Sequence, residues 1–497
     1  MKETIYSEQS QVLAELFSGK GKILFVPLDF AKAEHAAQCC GLDGRYVWKH
    51  PLRVWNNARG VDYLLERITD ICRKLRVKPS RVVIGGEDPG SFAMNFIAGI
   101  QRRGIKFVRV KAAKAAEYRK NNRASSDKLD LDGIAHAMIH HFAYDMAPAA
   151  GPYAELRLAA RSRERATKRE TALKSQIHQI VDRLLPGFLN DAKSGIPAFS
   201  PASLAILKEG ITAKRLRRMR EERLAAWLKK RGSLNSAEAA VKLRQLAAEM
   251  LEPDPTLAGH LQQVLRVKLR LLQAVREEIA LEENETARYL VQLPDALATS
   301  IPGLAINLVG GLAGEYGDPQ RRPSIGQMFS YAGCAQRQKQ TGGPGNPPAG
   351  QGLPRDCNHR IKNHLIHSAF MVGTFPHPAD KAVGSEQAGN GHRLMQHWQA
   401  VAARGGHTHL STARLLLRVI QAMVEQKRIY LPAWITRPQE DGPSPEIAAA
   451  WIEAATATME AKWKKYDLDG IPDELNQIKQ WRATADQEIK ILTTKHS

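Results

Sequence analysis

Four carboxylates carry the clearest chemistry in this chain. Asp29 follows the apolar run "KILFVPL" (22–28), and Glu87 ends the run "RVVIGGE" (81–87). In α/β sheets, ligands collect beyond the carboxyl ends of strands, so acids delivered there from two strands could share a cation. A single acid after a strand is usually a turn or a helix cap, and that reading stays open for Asp29 taken alone. The segment "SSDKLDLDGIAHAM" (125–138) adds two more acids. Read as a helix, it puts Leu131, Ile134, Ala135 and Met138 on one apolar face. At ~100° per residue, Asp127 and Asp130 share that face, while Asp132 is expected nearly opposite, toward solvent. Asp127 could merely cap the helix with help from Ser125 or Ser126, which accounts for one acid and not for both. Buried carboxylates are costly unless paired or metal-bound. Asp29, Glu87, Asp127 and Asp130 together offer hard oxygen donors suited to Mg2+ or Mn2+. Two such ions ~3.5–4 Å apart can clamp the attacking and leaving oxygens of a phosphodiester.

Positioning these acids requires a sheet. "KILFVPL", "RVVIGGE" and "IKFVRV" (105–110) read as strands, with "GRYVWKH" (44–50) a further candidate and "RVWNN" (53–57) a weaker one. Helical spacing marks "VDYLLERITDICRKLRV" (61–77) and "SFAMNFIAGIQRRG" (91–104). Strands alternating with helices predict an α/β domain over residues 1–146, closed by the linker-like "DMAPAAGP".

From about 153 to 290 strand signals vanish, and residues 147–295 are expected to be all-α. Within them, residues 208–231 hold ten Lys or Arg against three Glu. Such a stretch reads either as a solvated coiled-coil arm or as a surface lying on phosphates, and the two are compatible. The basic helices at 153–231 are the candidates for RNA or DNA contact, with Arg215, Arg217, Arg218 and Arg220 among their residues, and the apolar stripes within these helices are candidates for dimerisation. "SIPGLAINLVGGLAGEYGDP" (300–319) looks like a helix–glycine turn–helix that could offer backbone N–H groups to phosphates. A mostly helical domain is expected over 296–435, and two further amphipathic helices over 436–497.

Bulk properties point to a polyanionic partner. The chain has 497 residues, too many for one ordinary core. Seventy-two Lys and Arg face 51 Asp and Glu, a net charge of +21, which favours nucleic acid. No apolar run approaches the ~20 residues of a membrane span, and "MKETIYSEQS" lacks a signal-like region, so a cytoplasmic protein is expected. The five cysteines form no CxxC pair. Cys357 and His359 make an isolated C-x-H, and free thiols are expected.

The order "PLDFAK", "GGEDPG", "SSDKLD" resembles the Asp–Glu–Asp–Asp (DEDD) insertion-sequence transposases, relatives of the pilin-gene invertase and of bridge-RNA-guided recombinases. "LDFAK" carries Asp29, "EDPG" carries Glu87, and "DKLD" carries Asp127 and Asp130, with Leu131 where the family usually has Ala. "SIPGLAINLVGGLAGEYGDPQRRPSIGQMFSYAGCAQRQKQTGG" (300–343) is similar to the family's C-terminal transposase domain, and "RDCNHRIKNHLIHSAF" (355–370) to its following basic helix. The likeness fades near residue 432.

What the resemblance implies is a RuvC-like (RNase H-like) α/β catalytic domain, a helical region, and a mostly α transposase domain. It implies a metal-dependent recombinase acting on donor and target DNA, guided by an element-encoded RNA, in a prokaryotic cytoplasm. It also implies a homo-oligomer, dimeric or tetrameric in the synapse, and no membrane. The family's nucleophile is a serine before glycine. Here that position is Thr341, in "KQTGGPG" (339–345), among the basic residues Arg337, Lys339, Arg360 and Lys362. Thr341 reads as the nucleophile, as a phosphate-contacting hydroxyl beside another nucleophile, or as the mark of lost strand transfer. Ser330 is the nearest serine and the weaker candidate. No G-K-[ST] follows the glycines, so the loop is not a P-loop. A junction-resolving nuclease using water, and a non-catalytic nucleic-acid-binding regulator, are the competing readings.

Overall fold

The computed structural model describes residues 10–87, 92–120, 126–145, 151–322, 324–335, 338–339, 349–350, 353, 357–383, 392–432, 435 and 444–494. Thr341 and Arg337 lie outside them, as does most of the expected linker. The chain divides into two compact units, Met1–Leu158 with Thr286–Ser497, and Ala159–Glu285.

The N-terminal part is a six-stranded mixed sheet in the order β3-β2-β1-β4-β5-β6. Its strands are β1 (Leu24–Asp29), β2 (Glu34–Ala37), β3 (Leu52–Trp55), β4 (Val82–Gly86), β5 (Lys106–Val110) and β6 (Ala143–Asp145). β1, β4 and β5 are parallel, whereas β2, β3 and β6 pair antiparallel with their neighbours. Strands β1 and β4 are apolar along almost their whole length because both faces are covered. Period-two alternation sorts their side chains. Leu24, Val26, Leu28 and Ile84 pack with residues of α2 (Ala58–Leu75) and α3 (Met94–Arg102). Phe25 and Val83 pack on the other side with Leu13, Ala115, Ile134 and Met138. Those residues belong to α1 (Gln11–Ser18), α4 (Ala112–Lys120) and α5 (Asp127–Ile139).

The segment 44–50 is not the strand its composition suggests. It makes one isolated bridge, Tyr46 to Cys40, and the second strand is instead the unassuming "EHAA" of β2.

In unit Ala159–Glu285, the long helices α6 (Pro152–Leu184) and Pro255–Leu290 run antiparallel. The pairs Arg163–Glu283, Arg169–Glu278 and Arg276–Glu170 link them in descending order. Ile177 and Val181 of α6 share a core with Leu265, Leu269 and Leu272. The basic stretch 208–231 is two short helices, Ala213–Arg218 and Glu221–Lys229, not one. Its apolar residues Leu216, Leu224 and Leu228 are fully buried in this same core. These apolar residues of 208–231 are therefore covered within the chain, whereas Leu158, earlier in the basic helices, is 66% exposed.

The C-terminal helices share one further core. Helices Pro445–Trp463 and Gln477–Thr494 bury Trp451, Trp463 and Trp481 against residues 287–430. Trp463 Nε1 donates to Thr299 Oγ1 at 3.1 Å. Within 300–319 the positive-φ glycines Gly303 and Gly317 flank one buried helix, Ile306–Tyr316, and Gly310, Gly311 and Gly314 lie inside it. Among the described residues no helix is long and apolar enough to cross a membrane.

Candidate active site

The parallel register of β1 and β4 pairs Leu28 with Gly86, so the next residues, Asp29 and Glu87, emerge together at the carboxyl ends of two adjacent strands. Gly86 permits this closeness. A Cβ there would lie 2.6 Å from both the Leu28 carbonyl oxygen and the Phe30 ring.

Helix α5 contributes the other two acids from its first turn, where carboxylates complement the positive end of the helix dipole. Ser126 is the N-cap, its hydroxyl accepting from Leu129 N–H, which leaves the Asp127 carboxylate free of capping duty. The apolar face works as its spacing predicts: Leu131, Ile134, Ala135 and Met138 are all buried.

Two arginines that the sequence reading did not single out enter the site. Helix α4 crosses α5 so closely that a Cβ on Gly133 would sit 2.7 Å from the Ala115 carbonyl oxygen. One turn further along α4, Arg119 reaches between two acids. Its Nη2 is 3.0 Å from Glu87 Oε1, and its Nη1 donates to Asp130 Oδ1. These three side chains are 25–28% exposed. Arg53, on β3, donates to Asp127 Oδ2 in a more open pair. The sequence signals for both were faint. α4 is short and barely amphipathic, and β3 has only four residues.

The electrostatics tie the four acids together. Burial pushes the Asp29 carboxyl up to about 6, and the charges of Asp130, Asp127 and Glu87 push the same way, with Arg119 opposing. Burial also raises Glu87; Arg119 acts against that rise and Asp130 adds to it. The Arg119 guanidinium is held above its ordinary value despite burial, by Asp130, Glu87 and Asp29.

Asp132 departs from expectation. It is partly buried and accepts a hydrogen bond from the Tyr46 hydroxyl. Its side of α5 is covered because the chain between β2 and β3 folds back over the helix. Burial and the Asp132 carboxylate push the Tyr46 phenol far above its usual range, so it remains a donor.

Among the described residues, no group of three or more His, Cys, Asp or Glu is disposed to hold a metal ion. Arg119 and Arg53 engage three of the four carboxylates. The donor set nonetheless fits a divalent cation. Four carboxylates meet two guanidinium groups among the described residues, which leaves two formal negative charges on hard oxygens.

Residues 26–186 match the family model DEDD_Tnp_IS110, described as a transposase. This segment is similar to the IS110-type DEDD transposases. The match covers about a third of the chain and includes all four acids. It implies a DNA-cleaving enzyme of insertion elements, with DNA as substrate. DEDD transposases normally use a divalent metal. No curated protein matches the chain.

The other candidates lie outside the matched segment. Lys339 belongs to a two-residue strand paired with Ala349–Gly350. Arg360 and Lys362 start the helix His359–Thr374. Ser330 is exposed at the end of helix Ile325–Tyr331. Arg215, Arg218 and Arg220 are exposed, but Arg217 is engaged with Glu252 and with the Ala247 carbonyl. All five cysteines are free thiols.

Proposed function

We propose that the chain is a metal-dependent DNA transposase that cleaves and rejoins phosphodiesters at the Asp29–Glu87–Asp127–Asp130 site. The observation that carries this reading is the uncompensated negative charge at the strand ends, felt by Asp29 from the other three acids. The strand order β3-β2-β1-β4-β5, antiparallel and then parallel, supports a RuvC-like (RNase H-like) domain. Mg2+ or Mn2+ bound there would neutralise charge on the attacking and leaving oxygens. Asp29, Glu87 and Asp130 would hold the ions together with Asp127, each acid fixed by a strand end or the first turn of α5. Arg119, drawn off Glu87 and Asp130, would remain beside the reacting phosphate as a fixed positive charge. Thr341 would supply the hydroxyl that attacks phosphorus, as activated threonines can. The exposed Arg215, Arg218 and Arg220, together with Arg217, Arg337, Lys339, Arg360 and Lys362, would contact the nucleic-acid backbone. A guide RNA, an oligomeric synapse and a cytoplasmic location complete the reading.

The test is cleavage of element-end DNA with Mg2+ or Mn2+, with protein–DNA adducts trapped under denaturing conditions. Asp29→Asn, Glu87→Gln and Asp130→Asn are each expected to lower cleavage at least ~100-fold, the scale of losing a transition-state electrostatic group. Thr341→Ala is expected to abolish the adduct while Ser330→Ala keeps it. Cleavage that survives Thr341→Ala without any adduct would establish the water-using nuclease instead. Absence of metal-dependent cleavage with DNA and candidate guide RNA would leave a binding regulator.

A further inference from the structure

Between helix His359–Thr374 and the start of helix Thr408–Gln426 lies an open cavity of about 760 Å3. Its volume is within the ~300–1,000 Å3 range of small-molecule sites and far smaller than a duplex needs. Lys362, Asn363, His367 and Phe370 line one wall, and His407 and His409 the other. Among the described residues, no Asp or Glu lines it.

Phe370 is unusual for a large apolar side chain, being 45% exposed. Its ring is nearly parallel to that of His409, at 8° and 6.1 Å between centroids. Trp398 braces both rings edge-on, at 6.1 Å from Phe370 and 4.7 Å from His409. An aromatic face held at the mouth of a cavity that carries Lys362, and no acid among its described lining residues, suits a flat, anionic ligand. Leu353, three residues past the strand Ala349–Gly350, also lines the cavity.

We propose that this cavity takes an unpaired nucleotide of a single strand, its base on Phe370 and its phosphate at Lys362. The proposal rests on the reading of the chain as a nucleic-acid enzyme and names a place where that chain holds unpaired strand. Base–aromatic stacking tolerates any sequence, because every base has a π-face. The Asn363 amide can donate to or accept from a base edge.

The experiment uses the full chain, with fluorescence anisotropy on a labelled single strand and on the duplex of the same sequence. Phe370→Ala is expected to weaken single-strand binding about tenfold and to leave duplex affinity unchanged. Phe370→Tyr should keep both. Lys362→Gln should lower the salt slope for the single strand by about 0.7, one phosphate's worth. A strand carrying 5-iodouracil should crosslink to peptides from 359–374 or 406–410. Circular dichroism checks the fold of Phe370→Ala, which at an exposed position should be intact. Unchanged single-strand affinity in Phe370→Ala, or crosslinks only elsewhere, overturns the slot while leaving the transposase reading standing. Equal loss for single strand and duplex also overturns it, since that marks a general backbone contact. Specific capture of an acidic peptide with no effect of nucleic acid would assign the cavity to a protein partner. If the wild-type chain binds no nucleic acid at all, the proposed function fails as well.

Discussion

Arginine–carboxylate pairs hold two regions of this molecule, with opposite outcomes. Along the two long helices of unit Ala159–Glu285, Glu164, Glu170, Glu278 and Glu283 each find a cation. Arg163 meets Glu283 at 2.8 Å, and Glu170 is shared by Arg276 at 3.0 Å and Lys174 at 2.9 Å. At the ends of β1, β4 and α5, four acids compete for Arg53 and Arg119. The residue types and contact distances are alike, but in the second region the acids that converge on one point outnumber their arginines. A structural ladder closes its charges, whereas a site for a cation leaves them open, and the cost of that opening falls on folding stability. Asp29, raised to about 6 first by burial and then by the charges of Asp130, Asp127 and Glu87, records the cost. Glu170, held below its ordinary value by Lys174 and Arg276 despite burial, records its absence.

The largest effect expected on this contrast comes from removing the cation that two of the four acids share. Without divalent metal, Arg119→Gln leaves Glu87 and Asp130 facing each other and Asp29 unrelieved. The loss should be about 2 kcal/mol, the scale of hydrogen bonds to charged groups at partly buried positions. Urea unfolding in EDTA measures it. Adding Mg2+ should stabilise the variant more than the wild type, because no guanidinium then competes for the carboxylates. Equal stability in EDTA, or a weaker response to Mg2+ in the variant, would mean that the acids are already satisfied without Arg119.

The sequence exposed half of this contrast. β1, β4 and β5 announced themselves as apolar runs, and the 3.6-residue period of α5 aligned Asp127 with Asp130. Those signals are local. The arginines arrive by non-local contacts that no period encodes. Arg119 depends on the close crossing of α4 and α5 at Gly133, and Arg53 on an edge strand of four residues. Asp132 misled for the same reason, since its partner Tyr46 is 86 positions away in a segment that reads as a strand and is not one. Strand β6, three residues long, falls below the length at which alternation can be recognised, and β2, "EHAA", has no β-branched side chain, Phe, Tyr or Trp to mark it.

A smaller effect is expected from removing one of the competing charges. Asp29 titrates near 3.8 when unfolded and near 6 when folded. A raised folded value means that its favourable contribution is complete below 3.8 and is lost as pH rises through 6. At neutral pH the ionised Asp29 therefore disfavours the folded state. Asp29→Asn should be more stable than the wild type at pH 7 in EDTA, by about 1 kcal/mol once solvent screening is allowed for. At pH 4 that advantage should vanish. Urea midpoints across this range test it, and an advantage independent of pH would assign the gain to packing.

The smallest effect belongs to the ladder, and it sharpens the contrast from the closed side. In Arg276→Gln, Glu170 loses its contact at 3.0 Å but keeps Lys174 at 2.9 Å. The cost should be about 0.5 kcal/mol, typical of a partly exposed pair, and should shrink in high salt. Hydrogen exchange along 152–184 reports on this unit without waiting for the rest of the chain to unfold. Adding Lys174→Gln removes the second cation and leaves Glu170, 16% exposed, without either partner. The double variant should therefore lose more than the sum of the singles, because an uncompensated buried carboxylate is costlier than a weakened pair. The ladder would then resemble the acid site, with its protection restored by low pH, where Glu170 protonates. Simple additivity would show that closure in the ladder does not depend on Glu170, and the distinction between the two regions would rest on the acid site alone.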